Sequence, residues 1–344
     1  MGKPNIMKQI AIDTVFLNNR YSGISIVWYD ILSNLIPEGY EIVIFKRQNT
    51  YLPPNIKDKY KVVPINSFSY GSSDIDYINS LCKKYNIDYF ISTYYTCSTT
   101  VPCIVYIHDM IPEIFNYNFT NPMWKQKREC LKNGKFFICV SNNSMSDFKK
   151  YYPNKEQVYL NYNSLNTEKF KIKDASILSN ISKPFFMMLA SNSDPYKNIK
   201  LVKDMFTNHP DLFKELDFIF LTHKFMNIPA KWVKNITDSQ LSALYENALG
   251  IIYPSLYEGF GIPILEGFYH NTNVLTCKNS SLKEIGEDAC VYIDEKDSED
   301  LYVKIKEVKN KKYKNLLPKG YEISQKYSVK KQVDNFNKII NQII

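Results

Sequence analysis

Twelve short apolar runs, four to eight residues each and bounded by polar turns, recur from one end of the chain to the other with helix-period stretches between them. No other feature constrains the fold as tightly. A strand buried on both faces reads as an unbroken apolar run, and successive parallel strands need a helical crossover. The alternation therefore predicts an α/β protein built on parallel sheets. Strands are expected near 8–15, 41–46, 61–65, 88–92, 103–107, 136–140 and 156–160, with a second series near 185–190, 216–221, 249–253, 273–276 and 290–293. Between the two series, Lys171 to Lys183 is polar and without a strong period, which predicts a linker. At 344 residues the chain is long enough for two domains, one per series. Two helices carry explicit signals. Thr237 and Gln240 form a capping box ahead of Leu241, Leu244, Tyr245 and Ala248, while Val329, Val333, Phe336, Ile340 and Ile343 make a stripe that must pack on something.

Composition narrows the class of function. Lys and Arg number 43 against 35 Asp and Glu, a net charge of +8. Ten lysines lie between Lys304 and Lys331 with only Glu307 and Glu322 among them, so the rest of the chain is close to balance and a whole-surface nucleic-acid footprint is not expected. Seven cysteines, an odd number without a Cys-x-x-Cys pair, predict free and mostly buried thiols in a reducing compartment. No apolar run approaches the roughly 18 residues of a membrane span, and no basic start precedes a long apolar stretch. A soluble, cytoplasmic protein is expected. Glycine is scarce, 11 in all, so it should survive where geometry insists, and three of the eleven are Gly259, Gly261 and Gly267.

Those glycines belong to the most informative window, Tyr253-Pro-Ser-Leu-Tyr-Glu258-Gly-Phe-Gly-Ile-Pro-Ile-Leu-Glu266-Gly267. An apolar strand ends near Tyr253, a loop carries Glu258, Gly259, Phe260 and Gly261, and Pro263 sits where a helix begins, its missing N–H costing nothing there. Glycines allow close backbone approach to a ligand, and the free N–H groups of a helix start favour an anion such as a diphosphate. An ionised carboxylate offers two acceptor oxygens, which suits a pair of vicinal hydroxyls. A tight turn with an acid at a helix start would explain one glutamate and one glycine, but the window holds two glutamates and its loop alone two glycines.

This window strongly resembles the donor-site motif of the retaining glycosyltransferases of family 4. The resemblance extends along nearly the whole chain in the family's order: Asp13 and Ser22-Gly23-Ile24, then Ile107-His108-Asp109-Met110-Ile111-Pro112, Val140-Ser141, the helix from Asp238 to Ala248, and Ser281-Leu282-x-Glu284 with Asp288. It implies the GT-B fold, two Rossmann-like domains facing a central cleft. An N-terminal acceptor domain would span 1–172, a linker 173–183, a donor-nucleotide domain 184–326, and a helix at 327–344 would cross back to the first domain. The implied catalytic residues are Glu258 on the donor sugar, His108 beside it, and Lys197 on the diphosphate, whose charge develops as the nucleotide leaves. Glu266 would hold the ribose. The backbone of Gly259, Phe260 and Gly261, the Gly23 loop, Asn192 and Asn198 would complete the donor contacts. Many members carry an arginine where this chain has Asn192, and the first loop continues Gly-Ile-Ser-Ile-Val instead of Gly-Ile-Gly-Arg-Tyr.

The implied activity moves a hexose from a nucleotide-diphosphate sugar to a glycan or lipid-linked acceptor without a metal or other cofactor. GDP-mannose is the favoured donor and a UDP-hexose the next. Asp74-Ile-Asp76 is formally the Asp-x-Asp of metal-dependent enzymes, but it leads into a polar helix and is expected to be a solvated helix start. Two other classes of function fit parts of the sequence. Asn192 and the altered first loop would suit an idle scaffold that kept the fold, and lysines 304–331 would suit peripheral contact with an anionic membrane at its cytoplasmic face.

Overall fold

The structure, a computed structural model, describes residues 7–17, 22–68, 72–189 and 194–344. The chain forms two compact units, one of residues 1–164 with 329–344 and one of residues 165–328.

The first unit carries seven strands: β1 (Lys8–Asp13), β2 (Tyr40–Arg47), β3 (Lys61–Ile65), β4 (Tyr89–Ser92), β5 (Cys103–Ile107), β6 (Phe136–Cys139) and β7 (Val158–Leu160). All pair in parallel in the order β3-β2-β1-β4-β5-β6-β7. The second carries β8 (Phe185–Met188), β9 (Asp217–Phe220), β10 (Lys231–Trp232), β11 (Gly250–Tyr253), β12 (Asn273–Cys277) and β13 (Val291–Ile293), again all parallel, in the order β10-β9-β8-β11-β12-β13. Central strands such as β5, β8 and β11 are buried along their whole length, which is why they read as unbroken apolar runs. Each expected strand is present. β10 adds to them without a signal in the sequence, because a two-residue edge strand with a lysine in it leaves no apolar run.

Each sheet reverses its winding once, between β1 and β4 in the first and between β8 and β11 in the second. Ligands of open parallel sheets gather beyond the carboxyl ends of the strands at such a reversal. In the second unit this places two loops side by side, the one after β8 that reaches Lys197 and the one after β11 that carries Glu258.

The terminal helix Val329–Ile343 belongs to the first unit. Its stripe of Val333, Phe336, Ile340 and Ile343 is buried together with Ile339, and Phe336 meets Trp28 of the helix Gly23–Asn34 edge-on at 6.1 Å. The passage between units falls at Ser164 and Leu165, earlier than the linker expected at 173–183. That stretch is part of the second unit. The Asp174 amide donates to the Ser239 carbonyl at 3.1 Å, and Lys173 pairs with Glu246 at 2.6 Å. Polar backbone capping holds it, so it has no apolar period to reveal it.

One further expectation is corrected. Asp74 is not solvated: it is 3% exposed and pairs at 2.7 Å with Arg47, which also pairs with Asp13 at 2.6 Å, so a guanidinium bridges two buried carboxylates. Asp76 beside it is exposed. The run of lysines from 304 to 331 is not a free basic face, because seven of the ten (Lys304, Lys306, Lys309, Lys312, Lys319, Lys326 and Lys330) face carboxylates, several of them from distant segments such as Glu215 and Asp288. All seven cysteines are free and buried. Among the described residues no helix is long and apolar enough to cross a membrane.

Candidate active site

In the second unit the site is built on the loop after β11. Gly261 stands at φ +105° as the N-cap of the helix Ile262–Tyr269, a conformation that L side chains rarely adopt. Gly267 has a different task. A Cβ there would lie 2.8 Å from Val274 Cγ2 and 3.1 Å from Ile251 Cδ1, so its absence lets this helix lie close against β11 and β12. Helix and loop then present Glu258 and Glu266 from a fixed base.

Glu258 is anchored through its backbone. Its amide donates to Ser280 Oγ at 3.1 Å, and its carbonyl accepts from Ser281 Oγ at 2.7 Å. Its carboxylate accepts from Lys197 Nζ at 2.6 Å and from the hydroxyl of Tyr253 at the end of β11. Lys197 closes the short 3₁₀ turn Pro195–Lys197, where the Leu256 amide donates to the Tyr196 carbonyl at 2.7 Å and ties the two loops together. The ammonium also lies 5.0 Å from the Tyr196 ring centre and 5.6 Å from that of Tyr253. It is therefore no solvated lysine at a helix start, since its side chain is only 20% exposed.

Glu266 is 7% exposed. One of its oxygens accepts from Lys169 Nζ and the other from the Tyr245 hydroxyl at 2.8 Å. Burial alone would raise its carboxyl, but Lys169 and the Tyr245 hydroxyl outweigh that and hold it below the usual range. Burial and the facing carboxylates push both tyrosines, Tyr245 and Tyr253, well above the ordinary phenol value, so each stays protonated and donates. The two glutamates thus share one pattern, a lysine and a tyrosine apiece.

The remaining expected residues are placed as follows. Gly259 is buried in the loop. The Phe260 ring is 4% exposed and packs edge-on against Tyr327. Asn198 adopts φ 54°, and its side-chain amide is committed to the Glu295 carbonyl at 2.9 Å. Asn192 lies outside the described residues. Among the described residues no group of three or more His, Cys, Asp or Glu is arranged to hold a metal ion.

Gly23 and His108 belong to the first unit. Gly23 opens the helix Gly23–Asn34, and a Cβ there meets nothing within 4 Å, so the protein's own packing does not require a glycine. His108 follows β5 and is 8% exposed, with Nε2–H donating to the Thr93 carbonyl at 3.2 Å. Burial lowers its pKa to about 4 against the opposing pull of Asp109, so the ring is neutral near pH 7. Asp109 caps the next turn by accepting from the Ile111 amide at 3.0 Å.

Residues 223–325 match the family described as glycosyl transferases group 1. The chain is 22% identical over 264 residues to the O-antigen chain mannosyltransferase RfbU of Salmonella typhimurium, covering 71% of each protein. A segment of 67 residues, 20% of this chain and 18% of the relative, is 37% identical to O-antigen chain mannosyltransferase B of Escherichia coli. Among solved structures, WaaG, a glycosyltransferase involved in lipopolysaccharide biosynthesis, aligns with a TM-score of 0.76 at 11% identity over 96% of this chain and 99% of that one. HepE of Anabaena in complex with UDP and glucose aligns at 0.73 with 14% identity over 97% and 100%. The two parallel sheets and the matched segment define a glycosyltransferase of the GT-B type. It is related to the O-antigen mannosyltransferases of enteric bacteria.

Proposed function

We propose that the chain is a retaining, metal-independent glycosyltransferase of family 4. It moves a hexose from a nucleotide-diphosphate sugar to a hydroxyl of a glycan or lipid-linked acceptor in the cytoplasm, with GDP-mannose as donor ahead of a UDP-hexose. The observation that carries this reading is the Lys197–Glu258 pair at the reversal point of the second sheet, beside the Gly259–Gly261 loop and a helix start. The mannosyltransferase relatives support the choice of sugar.

An ammonium has three donors, and among the described residues Glu258 is the carboxylate that takes one, so Lys197 can donate to a diphosphate while still holding the carboxylate that meets the sugar hydroxyls. In front-side attack the bond from the anomeric carbon to the acceptor oxygen forms on the face where the bond to the diphosphate breaks. The acceptor proton passes to a diphosphate oxygen, and Lys197 offsets the charge that develops there. His108 is neutral at working pH and serves as a hydrogen-bonding group, not as an acid. Anchoring on anionic lipid through lysines 304–331 is left out of the proposal, because seven of the ten already face carboxylates.

Incubation with GDP-mannose or UDP-glucose, with and without chelator, tests the reading by nuclear magnetic resonance of the released or transferred sugar. Retained anomeric configuration, unaffected by chelator, is the expected result. An inverted product, or activity lost to chelator and restored by Mn²⁺, would overturn it.

A further inference from the structure

Lys169 has no part in the resemblance, yet it is the cation that the Glu266 carboxylate faces. It lies in the 3₁₀ turn Thr167–Phe170, just after the passage into the second unit. Its neighbour Phe170 is 3% exposed and meets the His270 ring edge-on at 4.6 Å, which pins the turn against the helix bearing Glu266. His270 in turn bonds the Glu266 carbonyl through Nδ1 at 2.8 Å and stacks on Tyr245, with ring centres 5.2 Å apart. Lys169, Tyr245 and Glu266 are thereby fixed by three separate segments.

We infer that Lys169 is a positioning residue for the donor nucleotide, acting through Glu266. The inference rests on the proposed function, in which Glu266 takes the ribose. A carboxylate has about four lone-pair positions. Lys169 occupies one and Tyr245 another, on different oxygens, so one position on each oxygen is left for a pair of vicinal hydroxyls. Without Lys169 the carboxylate sits buried beside a phenol with no cation facing it, a setting that favours its protonated form and halves its value as an acceptor pair. The charged and titratable groups around Glu266 are Lys169, Tyr245 and His270, with Glu246 and Lys173 acting on His270. Of the three that act on Glu266 itself among the described residues, Lys169 alone supplies a full positive charge near neutral pH, since burial lowers the pKa of His270 and Tyr245 stays a neutral phenol.

The test compares Lys169→Met, Lys169→Arg, Glu266→Gln and the double variant Lys169→Met/Glu266→Gln, by calorimetric nucleotide binding and by kinetics with GDP-mannose and UDP-glucose between about pH 8 and about pH 5.5. Lys169→Met is expected to raise the donor KM about tenfold near pH 7 with kcat nearly unchanged, and to raise it further as pH falls. The wild type stays flat over that range. Lys169→Arg keeps the charge and restores most of the affinity. The double variant, which removes both charges together, folds and binds no worse than Glu266→Gln alone. If the wild type binds nucleotide and Glu266→Gln weakens it while Lys169→Met leaves both KM and its pH profile untouched, the inference fails and the proposed function stands. If the wild type binds no nucleotide, the proposed function itself fails.

Discussion

Replacement of His108 by Phe removes a buried titrating ring while keeping its packing between Tyr94 and Tyr106, whose centres lie 5.6 and 5.1 Å away. The native ring has its pKa lowered from 6.5 to about 4 by burial. A base whose native pKa is depressed is protonated first in the unfolded chain, so acid favours unfolding. The stability it protects is fully present above the unfolded value and is lost as pH falls from about 6.5 towards about 4. With those two values the loss is about 2 kcal/mol near pH 5 and about 3 kcal/mol near pH 4. Every other titrating group is shared by wild type and His108→Phe, so their contributions cancel in the difference. Urea unfolding of both proteins, followed by tryptophan fluorescence at several pH values, reads that difference directly. The variant carries a constant penalty for the Thr93 carbonyl left without its donor, but it should lose less stability than the wild type on acidification. Parallel stability curves down to about pH 4.5 would refute the burial-driven neutral His108, and with it the statement that this residue does not act as an acid.

Glu258→Gln is expected to lower kcat by on the order of a hundredfold with little change in donor KM, because one contact made where the sugar changes charge and shape is worth about 2.7 kcal/mol. Steady-state kinetics with a confirmed donor check it, and a change confined to KM would place Glu258 on the ground state instead. Arg47→Met should destabilise the first unit by about 3–5 kcal/mol, since it leaves Asp13 and Asp74 buried without their cation. A melting temperature within about 2 °C of wild type would show that the bridge is not needed.

Much of the fold is legible because parallel strands are buried on both faces. The FFMM of β8 and the GIIY of β11 need nothing but their own apolar runs to be found. Legibility fails where stability comes from polar groups. Neither the docked stretch from Lys173 to Asn180, held by caps and ion pairs, nor the Arg47 bridge has any period in the sequence. The same division holds in the site. Glu258, Glu266 and Gly261 announce themselves through spacing in one window, and Tyr245 lies on a helix that the capping box marks. Lys169 is about a hundred residues away from its carboxylate and sits in a polar turn, so no local pattern points to it.

The passages into and out of the second unit run side by side, Leu165 pairing with Ser328, so that residues 165–328 are a closed insertion within the first unit. During synthesis the inserted unit is therefore complete before the unit that began earlier. Until Val329–Ile343 leaves the ribosome, Trp28 and the helix Gly23–Asn34 lack the surface that covers them. Nascent chains stalled just short of that helix should carry a protease-resistant second unit and a still-labile first one, reversing the usual order in which amino-terminal segments mature first.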